Sequence, residues 1–345
     1  MNAEPNRGET DVKDPVLRLR DLRTHIGVDG GVVRAVDGVD LGVGRGETLC
    51  LVGESGSGKS VAARSVMRLL VPSARIVSGE ILFSRGPDDE PVDLARLDPR
   101  GPAMRAVRGA GIGMIFQEPM SSLSPVHTVG DQVAEMALTH SAISKREARE
   151  QAAQMLDHVG ITQPRRRLDD YPFQLSGGMR QRVVIAMALM CNPALLIADE
   201  PTTALDVTTQ AQILDLLRRI QDEHGMAILF ITHDMGVVAE MADRVAVMYL
   251  GRVIETGGVT EIFDAPRHPY TRAMLASIPS IGGPRGGELP AIAGSVPPPL
   301  HRPPGCAFHP RCSVAVAGRC DEHAPPRVEF GDGHWMECVH GEDRR

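Results

Sequence analysis

Residues 48–60 read Thr48-Leu49-Cys50-Leu51-Val52-Gly53-Glu54-Ser55-Gly56-Ser57-Gly58-Lys59-Ser60. A short apolar run, the pattern of a buried strand, passes directly into a glycine-rich loop, and a helical pattern begins at Val61. In that strand-to-helix setting GESGSGKS fits the phosphate-binding P-loop, G-x-x-x-x-G-K-S. Glycines let the backbone wrap an anion, amides at the helix N-terminus point at it, and Lys59 adds a positive charge. The Ser60 hydroxyl suits a magnesium ion. Gly53, Glu54, Ser55, Gly56, Ser57, Gly58, Lys59 and Ser60 are therefore the candidate nucleotide-binding set.

Working outward, further apolar runs read as strands at Ile112 to Phe116, Leu195 to Ala198, Ile228 to Ile231 and Val245 to Tyr249. Helical patterns separate most of them, as in a parallel α/β sheet. Between Ser121 and Leu175 the chain turns to Ala, Gln, Glu and Arg at helical spacing, for example Val133, Met136, Ala137 and His140, which predicts an inserted helical subdomain at about 121–180. After about Pro266 proline and glycine dominate, as in PRGGELP and SVPPPLHRPPG, which predicts turns and loops over 266–345 and no second sheet. No repeat is visible and a single set of nucleotide motifs occurs.

The chain has 345 residues, 42% hydrophobic and 23% charged, enough to bury a full core. Its formal net charge of -7 argues against a chain-wide nucleic-acid-binding surface. Residues 1–15 are polar and broken by acids, so they lack the apolar centre of a secretory signal and read as a mobile tail. The run from Val183 to Ala198 is interrupted by Asn192 and Pro193 and is too short to span a bilayer. The expected location is the cytosol, at the cytoplasmic face of the membrane and attached peripherally through a partner.

Leu195-Leu196-Ile197-Ala198-Asp199-Glu200 is an apolar strand ending in two carboxylates. A buried acidic pair is costly unless a cation or proton chemistry uses it. Asp199 suits magnesium, while Glu200 suits polarising an attacking water. Leu175-Ser176-Gly177-Gly178-Met179-Arg180-Gln181-Arg182 then opens a helix, and its serine and paired glycines form a second anion-binding surface. Because the chain already has a P-loop, that surface implies a nucleotide presented by another subunit.

With these residues in order, the sequence resembles the ABC ATPase family over roughly Val16 to Pro266. GESGSGKS is similar to its Walker A, LSGGMRQR to its signature and LLIADE to its Walker B. Gln117 matches the Q-loop glutamine, Ala204-Leu205-Asp206 the D-loop, and His233 in ITHD the switch histidine. The resemblance implies a P-loop NTPase (RecA-like) α/β core at 16–265 that binds ATP and Mg2+. Two subunits would pack head to tail, each ATP lying between one P-loop and the partner's Ser176, Gly177, Gly178 and Gln181 surface. It further implies Glu200 as general base, His233 as γ-phosphate contact, Gln117 as the link between magnesium and the helical subdomain, and Asp206 as the D-loop residue. Magnesium contacts would come from Ser60, Gln117 and Asp199.

Family members usually stack an aromatic on adenine from upstream of Walker A, whereas the first aromatic here is Phe83. His25 is the candidate substitute, with Ile26 or Val28 as apolar alternatives. Arg267-His268-Pro269-Tyr270-Thr271-Arg272 and the residues after it resemble the extension of oligopeptide and dipeptide importer ATPases. The implied partners are a second, different ATPase subunit, two membrane permeases and an extracytoplasmic peptide-binding protein, with no nucleic acid. Alternatives are import of nickel or another small solute, an exporter ATPase, or a non-transport ABC protein.

Of six cysteines, Cys50 and Cys191 sit in apolar runs and read as buried hydrophobes. Cys306, Cys312, Cys320 and Cys338 cluster in the extension, where four thiolates could hold an iron-sulfur cluster or zinc. The tight C-x-x-C pairs usual for zinc are absent, and GCAFHPRC resembles the tail that holds a [4Fe-4S] cluster in some peptide-importer ATPases. That cluster is the expected third cofactor.

Overall fold

A computed structural model describes residues 12–117, 122–203, 205–278, 291–331 and 333–341. Most of the expected tail 1–15, together with Ser121, Ala204 and the PRGGELP stretch, lies outside the described residues. In chain order the strands are β1 (Pro15–Val28), β2 (Gly31–Gly44), β3 (Thr48–Val52), β4 (Ala74–Phe83), β5 (Val92–Asp93), β6 (Ile112–Ile115), β7 (Leu195–Asp199), β8 (Ala227–Thr232), β9 (Arg244–Tyr249), β10 (Arg252–Gly258), β11 (Arg327–Gly331) and β12 (His334–Glu337).

Eight strands form the main sheet in the order β11-β12-β10-β9-β3-β8-β7-β6. The five from β9 to β6 are parallel, and β10, β12 and β11 continue the sheet antiparallel. Both faces of the parallel block are covered, which is why its strands are continuous apolar runs. Leu49 and Leu51 face one layer, which includes Leu17, Val36, Ile81 and the P-loop helix residues Ala62 and Val66. Cys50 and Val52 face the other, with Val133 and Leu156 of the helical insertion and Ile213 and Leu217 of the helix Val207–His224. Each large aliphatic side chain so buried contributes roughly 1.5–3 kcal/mol.

A separate antiparallel sheet, β2-β1-β4-β5, covers the first layer. Sequence reading does not anticipate it, because register shifts at Leu19/Leu22 and Thr24/His25 break the period-two pattern of β1. The helical insertion contains Val129–His140 and Lys145–His158, started by Thr128 and by a Ser144/Glu147 capping box. Among the described residues no helix is long and apolar enough to cross a membrane.

The extension differs from the expected set of loops. It contributes the helix Pro269–Ala276 and the β11–β12 hairpin, and β12 pairs with β10, so the hairpin lengthens the main sheet. Tyr270, Ala307 and Phe308 join one core cluster and Trp335 the other. The buried Glu255 carboxylate on β10 accepts the Arg267 and His268 backbone N–H groups at 2.6 and 2.9 Å, with His334 Nε2 at 3.0 Å. The basic and histidine residues of this turn therefore dock the extension rather than reach solvent.

Candidate nucleotide site

The P-loop follows β3 at the C-terminal edge of the parallel strands, where open α/β sheets place their ligand sites. Two of its glycines are dictated by space. Gly58 has φ 105° and a Cβ there would lie 2.1 Å from the Ala35 carbonyl oxygen, while Gly53 has φ 147° and a Cβ 2.1 Å from that of Met248. Lys59 Nζ donates to the Gly53 and Glu54 carbonyls at 2.7 and 3.0 Å, and burial lowers its pKa. A cation folded onto its own loop is poised to exchange those carbonyls for phosphate oxygens.

Asp199 ends β7, fully buried, with Oδ1 accepting from the Ser60 hydroxyl at 3.0 Å and Oδ2 without a hydrogen-bond partner among the described residues. Burial raises its pKa, a penalty that a bound cation would reverse. This pairing of a serine hydroxyl with an orphaned carboxylate oxygen fits Mg2+, a hard cation taking oxygen ligands.

Glu200 follows with a positive φ of 50°. Its carboxylate accepts from His233 Nδ1 at 3.1 Å, Gln117 Nε2 at 3.2 Å and Thr203 Oγ1 at 3.0 Å. Burial alone would raise its pKa, but these three donors outweigh burial and hold the carboxyl below the usual glutamate value. The fold thus gathers Glu200, His233 and Gln117 from the ends of β7, β8 and β6 at one point. Thr203 is a further member that sequence reading missed, since a threonine beside a Walker B strand carries no distinctive pattern.

The cleft above the P-loop, 330 Å³ in volume, is lined by Ser55, Gly56, Gly58, Lys59, Ser60, Gln117 and Glu200 at its polar end. Ile26 and Val33 line it elsewhere. Ser176 and Gly177 are exposed; Ser176 Oγ caps the helix Gly177–Leu189 by accepting from the Met179 N–H, and no atom crowds the Gly177 Cα. These features leave an open helix N-terminus in which Gly178 is half-buried.

The family described as "ABC transporter" matches residues 36–203, and the "Oligopeptide/dipeptide transporter, C-terminal region" matches residues 254–320. A putative peptide import ATP-binding protein of Brucella melitensis is 52% identical over 95% of this chain and 97% of its own. The dipeptide transport ATP-binding protein DppD of Bacillus subtilis is 48% identical over 94% of each chain. Among solved structures, the dimeric ATP-binding cassette MJ0796 bound to ADP and Pi matches with TM-score 0.61 and 28% identity, over 70% of this chain and 98% of that one. The chain belongs to the ABC transporter ATP-binding proteins, in the oligopeptide/dipeptide branch.

Within this family frame several expected site residues sit differently. His25 does not line the cleft; its neighbour Ile26 does, because successive residues of β1 face opposite sides. Val28 is exposed near the hairpin turn and is not on the cleft wall either. Gln181 is not on the open signature surface, since it is buried and its Nε2 donates to the Pro201 carbonyl at 2.6 Å. Asp206 is not among these displaced residues: it is exposed and caps the helix Val207–His224 by accepting from the Thr209 N–H at 3.0 Å.

Glu54 commits its backbone N–H and its carboxylate to the extension. Its N–H donates to Tyr270 Oη at 2.9 Å, and its carboxylate takes two bonds from Arg311, at 2.6 and 3.0 Å. Arg311 also lies 3.3 Å from Tyr249 Oη. The extension therefore holds the P-loop from behind, and Glu54 anchors the loop instead of offering its amide to a phosphate. Sequence reading assigned neither Tyr270 nor Arg311 to the site.

No disulfide joins the cysteines of the extension, and Cys312, Cys320 and Cys338 lie near enough to Cys306 to act on its thiol. Burial pushes the Cys306 thiol up to about 11, with Cys338, Cys312 and Cys320 adding to the rise. The Val316 N–H donates to Cys320 Sγ at 3.3 Å, and the Phe308 and Val314 amides hydrogen-bond Cys306 and Cys312. The only described His, Cys, Asp and Glu group with ligand atoms all within 4.8 Å of one another is His158, Glu223 and His224, so the thiols are not drawn to zinc-like contact.

Proposed function

We propose that this chain hydrolyses ATP at an interface shared with a second ATPase subunit, and so drives peptide uptake through two membrane permeases served by an extracytoplasmic peptide-binding protein. The observation that carries the proposal is the Glu200 carboxylate, ionised and held by His233, Gln117 and Thr203 beside a P-loop and an orphaned Asp199 oxygen. Bound Mg2+, held by Ser60 and Asp199, supplies charge neutralisation on the phosphates. Lys59 shifts from its own carbonyls to the phosphates. Gln117 and His233 turn from Glu200 toward the nucleotide, leaving a basic carboxylate oxygen free to take a proton from water.

Each site would be completed by the open Ser176–Gly178 helix N-terminus of the partner subunit. The helical insertion, joined to the cleft through Gln117, is the expected permease contact and places the subunit at the cytoplasmic face of the membrane. Peptide as cargo rests on the relatives' names and on the extension, since no residue here need touch it. The test is reconstitution with the cognate permeases and binding protein in liposomes. ATP-dependent accumulation of a labelled di- or oligopeptide is expected, whereas uptake of nickel with no peptide uptake would reassign the cargo.

Four neighbouring thiols, three of them with amide donors to sulfur, also support a [4Fe-4S] seat at Cys306, Cys312, Cys320 and Cys338. Such a cluster would cross-link a loop-rich segment. Anaerobically purified protein should be brown and contain iron and acid-labile sulfide, and Cys312→Ser should lose both. Colourless protein with stoichiometric zinc, or with no metal, would reject the cluster.

A further inference from the structure

The nucleotide cleft is not built by the ATPase core alone. Pro299 and Arg302 of the extension line it together with the P-loop, Ile26 and Val33. Pro299-Leu300-His301 forms a single 3-10 turn. Leu300 seats this turn on the β1–β2 hairpin, so close to Gly31 that a Cβ there would lie 2.9 Å from the Leu300 side chain. Arg302 Nη1 donates to Asp37 Oδ2 at 2.8 Å. The strap is thereby fixed at both a hydrophobic and a charged contact.

Arg302 shares its carboxylate. Asp37 also takes Arg23 at 3.0 Å and faces Arg252 at 3.8 Å, while Asp21 and Glu337 give those two guanidinium groups further partners, and Arg34 lines the same cleft. Arg302 is itself largely buried, with 17% of its side chain exposed. A planar cation held in a half-dry wall pairs well with the face of an aromatic ring. A nucleotide bound with its phosphates on the P-loop presents its purine to the apolar end of the cleft. Among the described residues no aromatic side chain lines that end to stack on it.

We propose that the extension completes the nucleobase subsite, with Arg302 and Pro299 forming the wall against the purine opposite Ile26 and Val33. This proposal rests on the reading of the cleft as the ATP site. In the intact extension-bearing chain, the base contact then depends on a segment that follows the catalytic core by some distance in sequence.

The test compares MgATP with inorganic tripolyphosphate, which shares the phosphates and lacks the base. Calorimetric affinities are measured for the full-length protein and for Arg302→Ala, Arg302→Lys and Pro299→Ala. Binding of both ligands by the parent protein supports the ATP-site reading, and binding of neither would overturn that reading itself. Arg302→Ala should weaken MgATP about 3- to 30-fold and leave tripolyphosphate within about twofold. Arg302→Lys keeps the charge without the plane, so it should recover less than half of the loss in free-energy terms. Unchanged MgATP affinity in Arg302→Ala, or equal loss of both ligands, would overturn the proposal. Full rescue by lysine would replace stacking by simple charge attraction and would also overturn it. Pro299→Ala, which leaves Arg302 and its ion pair untouched, should weaken MgATP alone; no change there would remove Pro299 from the wall.

Discussion

Glu200→Gln isolates the proton-accepting role of one atom pair. The replacement is isosteric, and its amide oxygen can still accept from His233, now 3.1 Å from Glu200 Oε1. At the other oxygen an amide N–H2 would face Gln117 Nε2, 3.2 Å away, and the Thr203 hydroxyl at 3.0 Å. Thr203 can rotate to accept, and the Gln117 amide can flip, so at most one hydrogen bond is lost, about 1 kcal/mol of stability. The same substitution removes the base, whose contribution is typically about 10² to 10⁴ in rate, or roughly 3–5 kcal/mol of barrier. Phosphate release by the purified, assembled complex should therefore fall at least a hundredfold. Affinity for a fluorescent ATP analogue should stay within a few fold, and the unfolding midpoint should barely move. Turnover within threefold of the parent would remove Glu200 from the role of base. Parallel loss of binding and hydrolysis would mark it as a structural residue instead.

Gln117→Ala should reduce peptide transport and its stimulation of hydrolysis by about tenfold or more while sparing ATP affinity, as positioning residues do; equal loss of affinity and transport would indicate a plain binding defect. Arg311→Ala breaks the paired contact to Glu54, whose side chain is 29% exposed, so the cost should be about 2 kcal/mol, below that of a fully buried pair. It should lower both the unfolding midpoint and ATP affinity, with Arg311→Lys recovering part of each, and unchanged values for both would make the ion pair incidental. The fully buried His268 accepts the Tyr270 N–H at 3.0 Å through Nδ1, and burial lowers its pKa from 6.5 to about 4. The unfolded chain binds that proton more readily, so stability is present above about pH 6.5 and is lost as pH falls toward 4. The loss is on the order of 3 kcal/mol, read from denaturant midpoints between pH 7 and pH 4, and His268→Gln should flatten that part of the profile; an unchanged profile would refute the assignment.

How much of this could be read in advance follows from how each feature is encoded. The strand β3, its P-loop and the β7 carboxylates are each written in contiguous residues, because the apolar run, the glycines and the acids must follow one another for the turn to form. The exposed Ser176 cap and the helix after it are legible for the same reason. The first sheet was not, since register shifts in β1 hide its period, and the side of β1 that meets the cleft was settled only by the pairing of its bulged strand with β2 and β4. That choice put Ile26 and not His25 on the wall. Gln181 shows the same limit: a polar residue on a helix says nothing of which face it occupies until the Pro201 carbonyl meets it. The hold of the extension on the site is still less local. Tyr270 lies 216 positions from Glu54, Arg311 lies 257 from Glu54, and Arg302 lies 265 from Asp37. Sequence alone determined the chemistry of the phosphate end. Tertiary structure decided what backs the P-loop and closes the base end, because a contact between distant residues is specified by the joint packing of the elements that carry them, not by any pattern along the chain.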